Sequence, residues 1–193
     1  MERWVKVSSA LSENRIYFAI RARGLILDCG CGIGLFANIL RKRGSVVGID
    51  IDKNYLLKTP YEHKVLCSVT NLPFKTNTFD FVWAHAIIEH VKDDCVPEII
   101  RVGKSSVFLT PNKNSPLELI RRIMGKKGTW ETSGHVRLYT VGELGMYGKV
   151  YGDGCGLPKR SFWTKIFPDR FWLFVPRLSH AIFLYIHKSE MQR

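Results

Sequence analysis

Two carboxylates and three glycines are the residues whose types and spacing are best suited to chemistry. Gly30, Gly32 and Gly34 fall in the run LILDCGCGIGLF, residues 25–36. Glycine there lets the backbone turn tightly and approach a ligand closely, because no Cβ stands in the way. Asp50 ends the next β-branched run, where a carboxylate accepts hydrogen bonds from both hydroxyls of a ribose. Ile51 beside it offers an apolar face to an adenine ring. Asp28 precedes the glycines; it would repel a pyrophosphate and suits an ammonium group. Cys29 and Cys31 flank Gly30 and read as small residues fitting a tight loop rather than as reactive thiols. The glycines alone admit two ligands, since Gly32-x-Gly34-x-x-Ala37 also matches the dinucleotide pattern GxGxxA.

These residues need strands to end at them and helices to start after them. The first two-thirds of the chain alternates short β-branched runs with helical stretches, which predicts an α/β, Rossmann-like doubly wound sheet. A helix around Leu11 to Ala22 precedes a strand over Leu25 to Cys29, and the glycine turn opens a helix from about Leu35 to Lys42. Strands follow at Ser45 to Asp50, about Lys64 to Val69, Phe79 to Ala84 and Ser105 to Thr110, with a helix around Cys95 to Val102 before the last. Ser115-Pro116-Leu117-Glu118 and Thr140-Val141-Gly142-Glu143 have the spacing of capped helix starts. Lys149 to Asp153 and His180 to Lys188 read as two closing strands, the last antiparallel. One domain over 1–193 is expected, with 154–178 an aromatic-rich lid or insertion.

The order of these segments resembles the class I S-adenosylmethionine-dependent methyltransferases, in particular their small-molecule (UbiE-like, type 11) group. LDCGCGIG resembles their first motif and VVGIDID their second, acidic one. CSVTNLPFKTNTFDFVWAHAIIEHV, VFLTPN and GHVRLYTVGEL resemble the segments that follow, so the likeness covers roughly residues 10 to 150. It implies a seven-stranded sheet, S-adenosyl-L-methionine as cofactor and S-adenosyl-L-homocysteine as product. The cofactor contacts it implies are Asp28, Gly30, Cys31, Gly32, Gly34, Asp50, Ile51, Ser68, Val69, Leu72, Ala84 and His85. Ser68 stands where family members usually carry an acid for the adenine amino group, so recognition there leans on backbone near Val69.

Methyl transfer is an in-line displacement, and the enzyme mainly positions the acceptor and excludes water. His85 is the candidate general base, if the acceptor must lose a proton. Trp83, Asn112, His135 and Tyr139 are candidate substrate contacts. Glu89 and His90 supply only two ligand types, so no metal is expected.

The net charge of +12 admits nucleic acid or an anionic membrane surface as partner, but no motif supports either. Base-methylating DNA enzymes carry an Asn/Asp-Pro-Pro-Tyr/Phe loop or a Pro-Cys pair; this chain has Trp83-Ala84-His85-Ala86 and no Pro-Cys. Phe162, Trp163, Phe167, Phe171, Trp172 and Phe174, interleaved with Lys159, Arg160, Lys165 and Arg170, read as a core-completing cover, a lid over an apolar acceptor, or an interfacial element. A small, apolar or aromatic methyl acceptor is the favoured substrate, with RNA or protein as alternatives. An NAD(P)-dependent oxidoreductase and a non-catalytic cofactor-binding module are the competing functions. Five cysteines without a CxxC pair and an N-terminus without a signal-peptide run point to a reducing, cytoplasmic setting.

Overall fold

The computed structural model describes residues 12–128, 133–154 and 168–191. Seven strands form one sheet: β1 (Gly24–Cys29), β2 (Gly44–Asp50), β3 (His63–Leu66), β4 (Phe79–His85), β5 (Gly103–Pro111), β6 (Lys149–Asp153) and β7 (Ala181–His187). Their order is β3-β2-β1-β4-β5-β7-β6. The first five pair in parallel, while β7 runs antiparallel to both β5 and β6. This is the mostly parallel sheet with an antiparallel last strand that the sequence predicts.

The side-chain alternation of each strand separates two cores, one per face. Leu27, Cys29, Val82, Ala84 and Phe108 join one with Ile88, Val96, Ile99 and Val102. Ile26, Phe81, Trp83, Val107 and Leu109 join the other with Phe18, Phe36, Ala37 and Leu40. Parallel strands covered on both faces read as near-continuous apolar runs, which is why their residues were visible as strands.

Boundaries shift where local hydrogen bonds compete. The helix α1 covers Glu13–Ala19, shorter than expected, because Arg21 and Ala22 bond back only three residues and Gly24 then turns with φ of 71°. The helix after the glycine loop, α2, is a single α turn at Ala37–Leu40 flanked by tighter turns. β3 stops at Leu66 because Ser68 folds its hydroxyl back onto the Thr70 amide, 3.2 Å away. A helix α3 at Lys53–Lys58 is an addition; its N-cap Asp52 accepts from the Asn54 amide at 2.7 Å. Helix α4 spans Val96–Val102, and α5 (Pro116–Ile123) starts on Ser115. The helix α6 (Val141–Gly145) carries the complete capping box between Thr140 and Glu143. Phe171, Trp172 and Phe174 of the aromatic stretch are described; Lys159, Arg160, Phe162, Trp163, Lys165 and Phe167 lie outside the described residues.

Candidate active site at the carboxyl ends of the strands

In an open α/β sheet the ligand crevice lies outside the carboxyl ends of the strands, where the strand order reverses. Here the chain winds outward from β1 through β2 to β3, then returns to β4 beside β1. The reversal therefore falls at Cys29, Asp50 and His85, the strand ends nearest the sequence-predicted residues.

The glycine loop leaves β1 and is held against β2. The Cys31 amide donates to the Ile49 carbonyl at 2.8 Å, and the Gly32 amide to Asp50 Oδ2 at 2.9 Å. Gly30, Gly32 and Gly34 all have positive φ, a region that costs a residue with a Cβ roughly 1–2 kcal/mol. Their surroundings differ. A Cβ on Gly30 would meet Ile87 at 2.6 Å, and one on Gly34 would meet Pro60 at 2.6 Å. A Cβ on Gly32 would meet nothing within 4 Å, so the loop is open there. Gly30 and Gly34 make room for protein, and Gly32 leaves room for a ligand.

Asp50 has its second oxygen on the Asp52 amide, 2.9 Å away. Two backbone bonds fix the carboxylate, and each oxygen keeps a lone pair for a ribose hydroxyl. Ile51 follows with 75% of its surface exposed, an uncovered apolar side chain suited to an adenine face. Asp28 lies beneath the loop, buried, accepting from the Tyr61 hydroxyl at 2.7 Å. Burial pushes its carboxyl up to about 7, Tyr61 opposes that, and Asp50 adds to it. A carboxylate so placed is short of a cation, which the ammonium of a methionine moiety would supply. Burial likewise pushes the Cys31 thiol up to about 12, which suits an inert packing residue. These features fit the sulfonium cofactor.

The adenine side is more constrained. The Ser68 hydroxyl is engaged with the Thr70 hydroxyl at 2.8 Å. Val69 and Leu72 are buried, and the Leu72 amide donates to Glu98, which also holds Arg101. Arg101 in turn donates to the Leu72 and Phe74 carbonyls, so the LPF loop is clamped from α4.

Across the crevice, Trp83 and His85 share the face of Phe36, with ring centres 4.9 and 4.8 Å from it. Ala84 points into the opposite core. Burial, with a contribution from the Arg15 charge, pushes the His85 imidazole down to about 3. A neutral ring with this pKa accepts hydrogen bonds and holds a proton weakly. The short turn at Ile88–His90 buries Glu89, whose carboxyl burial raises to about 7, opposed by its own backbone amide. Trp83 Nε1, His85 Nε2, Glu89 Oε2, Thr110 Oγ1 and Tyr139 OH are buried with no hydrogen-bond partner. Buried polar groups without partners are costly, on the order of 1–3 kcal/mol each, and mark places that a ligand satisfies.

The remaining substrate candidates divide. The Asn112 side chain is consumed by structure: its Nδ2 donates to the Pro176 and Ser179 carbonyls at 3.2 and 2.9 Å, and its Oδ1 accepts from the Asn114 amide. Tyr139 is buried beside it through an isolated bridge to Asn112. His135 is partly buried and packs on His90 with ring centres 4.8 Å apart. Sequence reasoning passed over Tyr61 and Arg15. Tyr61 lies in an ordinary-looking loop, and its role exists only because it packs over Gly48 beside Asp28. Arg15 of α1 bonds Asp153 at the end of β6 at 2.8 Å, a contact across 138 positions that no spacing rule reveals.

The family described as "Methyltransferase domain" matches residues 27–109. Among curated proteins, the chain is 38% identical over 96 residues to an uncharacterised protein of Methanocaldococcus jannaschii, covering 47% of this chain and 42% of that one. It is 36% identical over 108 residues to the mitochondrial ubiquinone biosynthesis O-methyltransferase of Homo sapiens, covering 46% and 29%. The matched part thus spans less than half the length of these relatives. A solved S-adenosylmethionine-dependent methyltransferase of Thermotoga maritima superposes with a TM-score of 0.65 at 16% identity, covering 95% of this chain and 92% of that one, a likeness of fold. Over residues 27–109 the chain is thus similar to the family described as a methyltransferase domain, and its fold is like that of a solved S-adenosylmethionine-dependent methyltransferase.

Proposed function

We propose that the protein transfers a methyl group from S-adenosylmethionine to a small acceptor that enters between β4, β5 and the segment 133–139. The single observation that carries this reading is the loop open at Gly32, locked to Asp50 and overlying the buried Asp28. When bound, the cofactor supplies a methyl already activated on a sulfonium, so the chain's task is positioning. Asp50 holds the ribose, Ile51 lies on the adenine, and Asp28 faces the ammonium. Gly30, Cys31, Gly34, Ser68, Val69, Leu72 and Ala84 shape the walls. His85 Nε2 and Trp83 Nε1 orient the acceptor by hydrogen bonds and exclude water from its nucleophilic atom. His85 serves as acceptor-positioning group more than as proton sink, given the weak basicity that burial imposes. A reducing, cytoplasmic site of action is supported by Cys29, Cys31, Cys67 and Cys95, which are free thiols. Among the described residues no helix is long and apolar enough to cross a membrane.

Calorimetric titration with S-adenosylhomocysteine tests the reading: saturable 1:1 binding is expected, severely weakened in Asp50→Ala. Absence of heat with the intact protein, or a thermal shift larger with NAD(P) than with S-adenosylhomocysteine, sinks it.

A further inference from the structure

The proposed methyl-transfer crevice lies at the carboxyl ends of the strands, and the opposite end of the sheet carries a different chemistry. Two basic runs arrive there: Arg21-Ala22-Arg23-Gly24 leads into β1 and Arg41-Lys42-Arg43-Gly44 into β2. Gly24 and Gly44 are register partners in the parallel pair, so the runs enter the sheet side by side. The approach is close, since a Cβ on Gly44 would meet the Gly24 carbonyl oxygen at 2.0 Å, and Arg43 Nε donates to the Ala22 carbonyl at 3.4 Å. Lys104 stands at the same end, near the start of β5. Asp80 lies among these cations, but its carboxylate is already held by the Leu25 amide and Lys104, at 2.9 and 2.8 Å. Arg21, Arg23 and Arg43 form no salt bridge with the described residues. Positive charges gathered without acids repel one another in the free protein and attract a polyanion.

Beside the arginines an aromatic hollow of about 280 Å³ opens between α1, β6, β7 and the turn at Leu173–Phe174. Phe18 forms its floor, and the rings of Tyr17, Tyr151 and Tyr185 stand 5.4, 5.6 and 6.5 Å from it. Phe174, 80% exposed, stands at the lip. Arg21 lines the hollow with its guanidinium 3.4 Å over the Tyr17 ring and its Nη1 on the Tyr17 carbonyl at 2.6 Å. A second hollow of about 370 Å³ continues from the first: Arg21 and Tyr185 line both, and Arg23 and His187 line the second. Along one groove, aromatic faces give way to arginines that have no acidic partner.

We propose that this groove binds single-stranded RNA, with one base in the aromatic hollow and the adjoining phosphates on Arg21, Arg23 and Arg43. Stacking on aromatic rings accepts any base, because each has a π-face, and guanidinium forks match phosphate oxygens. The tyrosine hydroxyls around the hollow offer hydrogen bonds to a ribose 2′-hydroxyl, a group that deoxyribose lacks. A duplex keeps its bases stacked inside and has no single ring to insert. An anionic bilayer calls for apolar side chains on a projecting face, whereas these rings surround a concavity. The six residues of β1 put about 20 Å between the groove and the crevice, so RNA and cofactor share no contact.

Fluorescence anisotropy of a labelled uridine RNA of about 12 nucleotides tests this on the intact protein. Saturable binding is expected, with log affinity falling against log salt at a slope of about −2, roughly 0.7 for each of three phosphates. Arg23→Glu should weaken it at least about tenfold, and Phe174→Ala, at an exposed position, at least about fivefold. Lys126→Glu, the same change in net charge beyond α5, should alter it by less than about twofold. Saturating S-adenosylhomocysteine should leave it unchanged. Equal weakening by Arg23→Glu and Lys126→Glu would reduce the effect to overall charge and overturn the site, as would unchanged binding in Phe174→Ala. Equal or tighter binding of the deoxyribose strand overturns the choice of RNA. Release of the RNA by phosphatidylserine vesicles that capture the protein makes the groove a membrane surface instead. RNA binding retained in a protein that fails to bind S-adenosylhomocysteine removes the methyl-transfer reading alone.

Discussion

The two sides of the crevice satisfy their polar groups in opposite ways. On the β2 side, Asp50 is bonded to the Gly32 and Asp52 amides, Asp28 to Tyr61 and Ser68 to Thr70. On the β4 and β5 side, Trp83 Nε1, His85 Nε2, Glu89 Oε2, Thr110 Oγ1 and Tyr139 OH have no partner. The first side is preorganised around a shape that local backbone bonds specify. The second stores uncompensated desolvation, which a bound acceptor would relieve. On the proposed reading, the donor side is therefore complete in the folded chain, whereas the acceptor side is finished by what enters it.

The largest effect expected on this contrast comes from Asp50→Ala. It removes the proposed ribose contact and the two amide bonds that hold the loop, so cofactor affinity should fall at least about 100-fold, or roughly 2.7 kcal/mol. A calorimetric loss under about tenfold would mean that the loop is not preorganised through Asp50.

The next effect concerns pH. The Asp28 carboxyl is raised to about 7 from an ordinary value near 3.8, so the free folded state favours its protonated form. This contribution to the stability of the cofactor-free protein is present below about pH 4 and is lost as pH rises through about 7. A cationic ligand reverses the preference. Affinity for S-adenosylhomocysteine should rise about fifteenfold from pH 5.5 to 7.0, and Asp28→Asn should flatten the profile. A slope that survives in Asp28→Asn would place the titrating group elsewhere.

A smaller effect separates the two sides directly. His85→Ala should lower kcat on small hydroxylated aromatic acceptors about tenfold, while cofactor affinity changes by less than about threefold. Equal losses in both would make His85 part of the donor side.

A last effect, on stability rather than on binding or turnover, distinguishes two glycines. Gly30→Ala meets Ile87 and should lower stability by about 2–4 kcal/mol in denaturant titrations. Gly32→Ala meets open space and should lower it by only about 1–2 kcal/mol while still weakening the cofactor. Equal destabilisation would show that backbone strain alone governs the loop.

What the sequence determined by itself was the sheet and the grouping of residues proposed as the donor side. The strand runs are apolar because both faces are covered, and Asp28, the glycines and Asp50 are close in the chain because one β-turn-β unit holds them. Even the missed helix at Lys53–Lys58 had a local signal in Asp52, its N-cap. Only the tertiary structure decided the long-range contacts around the proposed acceptor side. Tyr61 meets Asp28, Arg15 meets Asp153, and His135 meets Glu89 and His90 across long stretches of chain. It also reassigned Asn112, whose position at a strand end suggested substrate but whose amide ties down the carbonyls of Pro176 and Ser179. Periodicity and motif spacing report interactions between near neighbours; burial, and the choice of which polar atoms are left unpartnered, is settled only when distant segments pack.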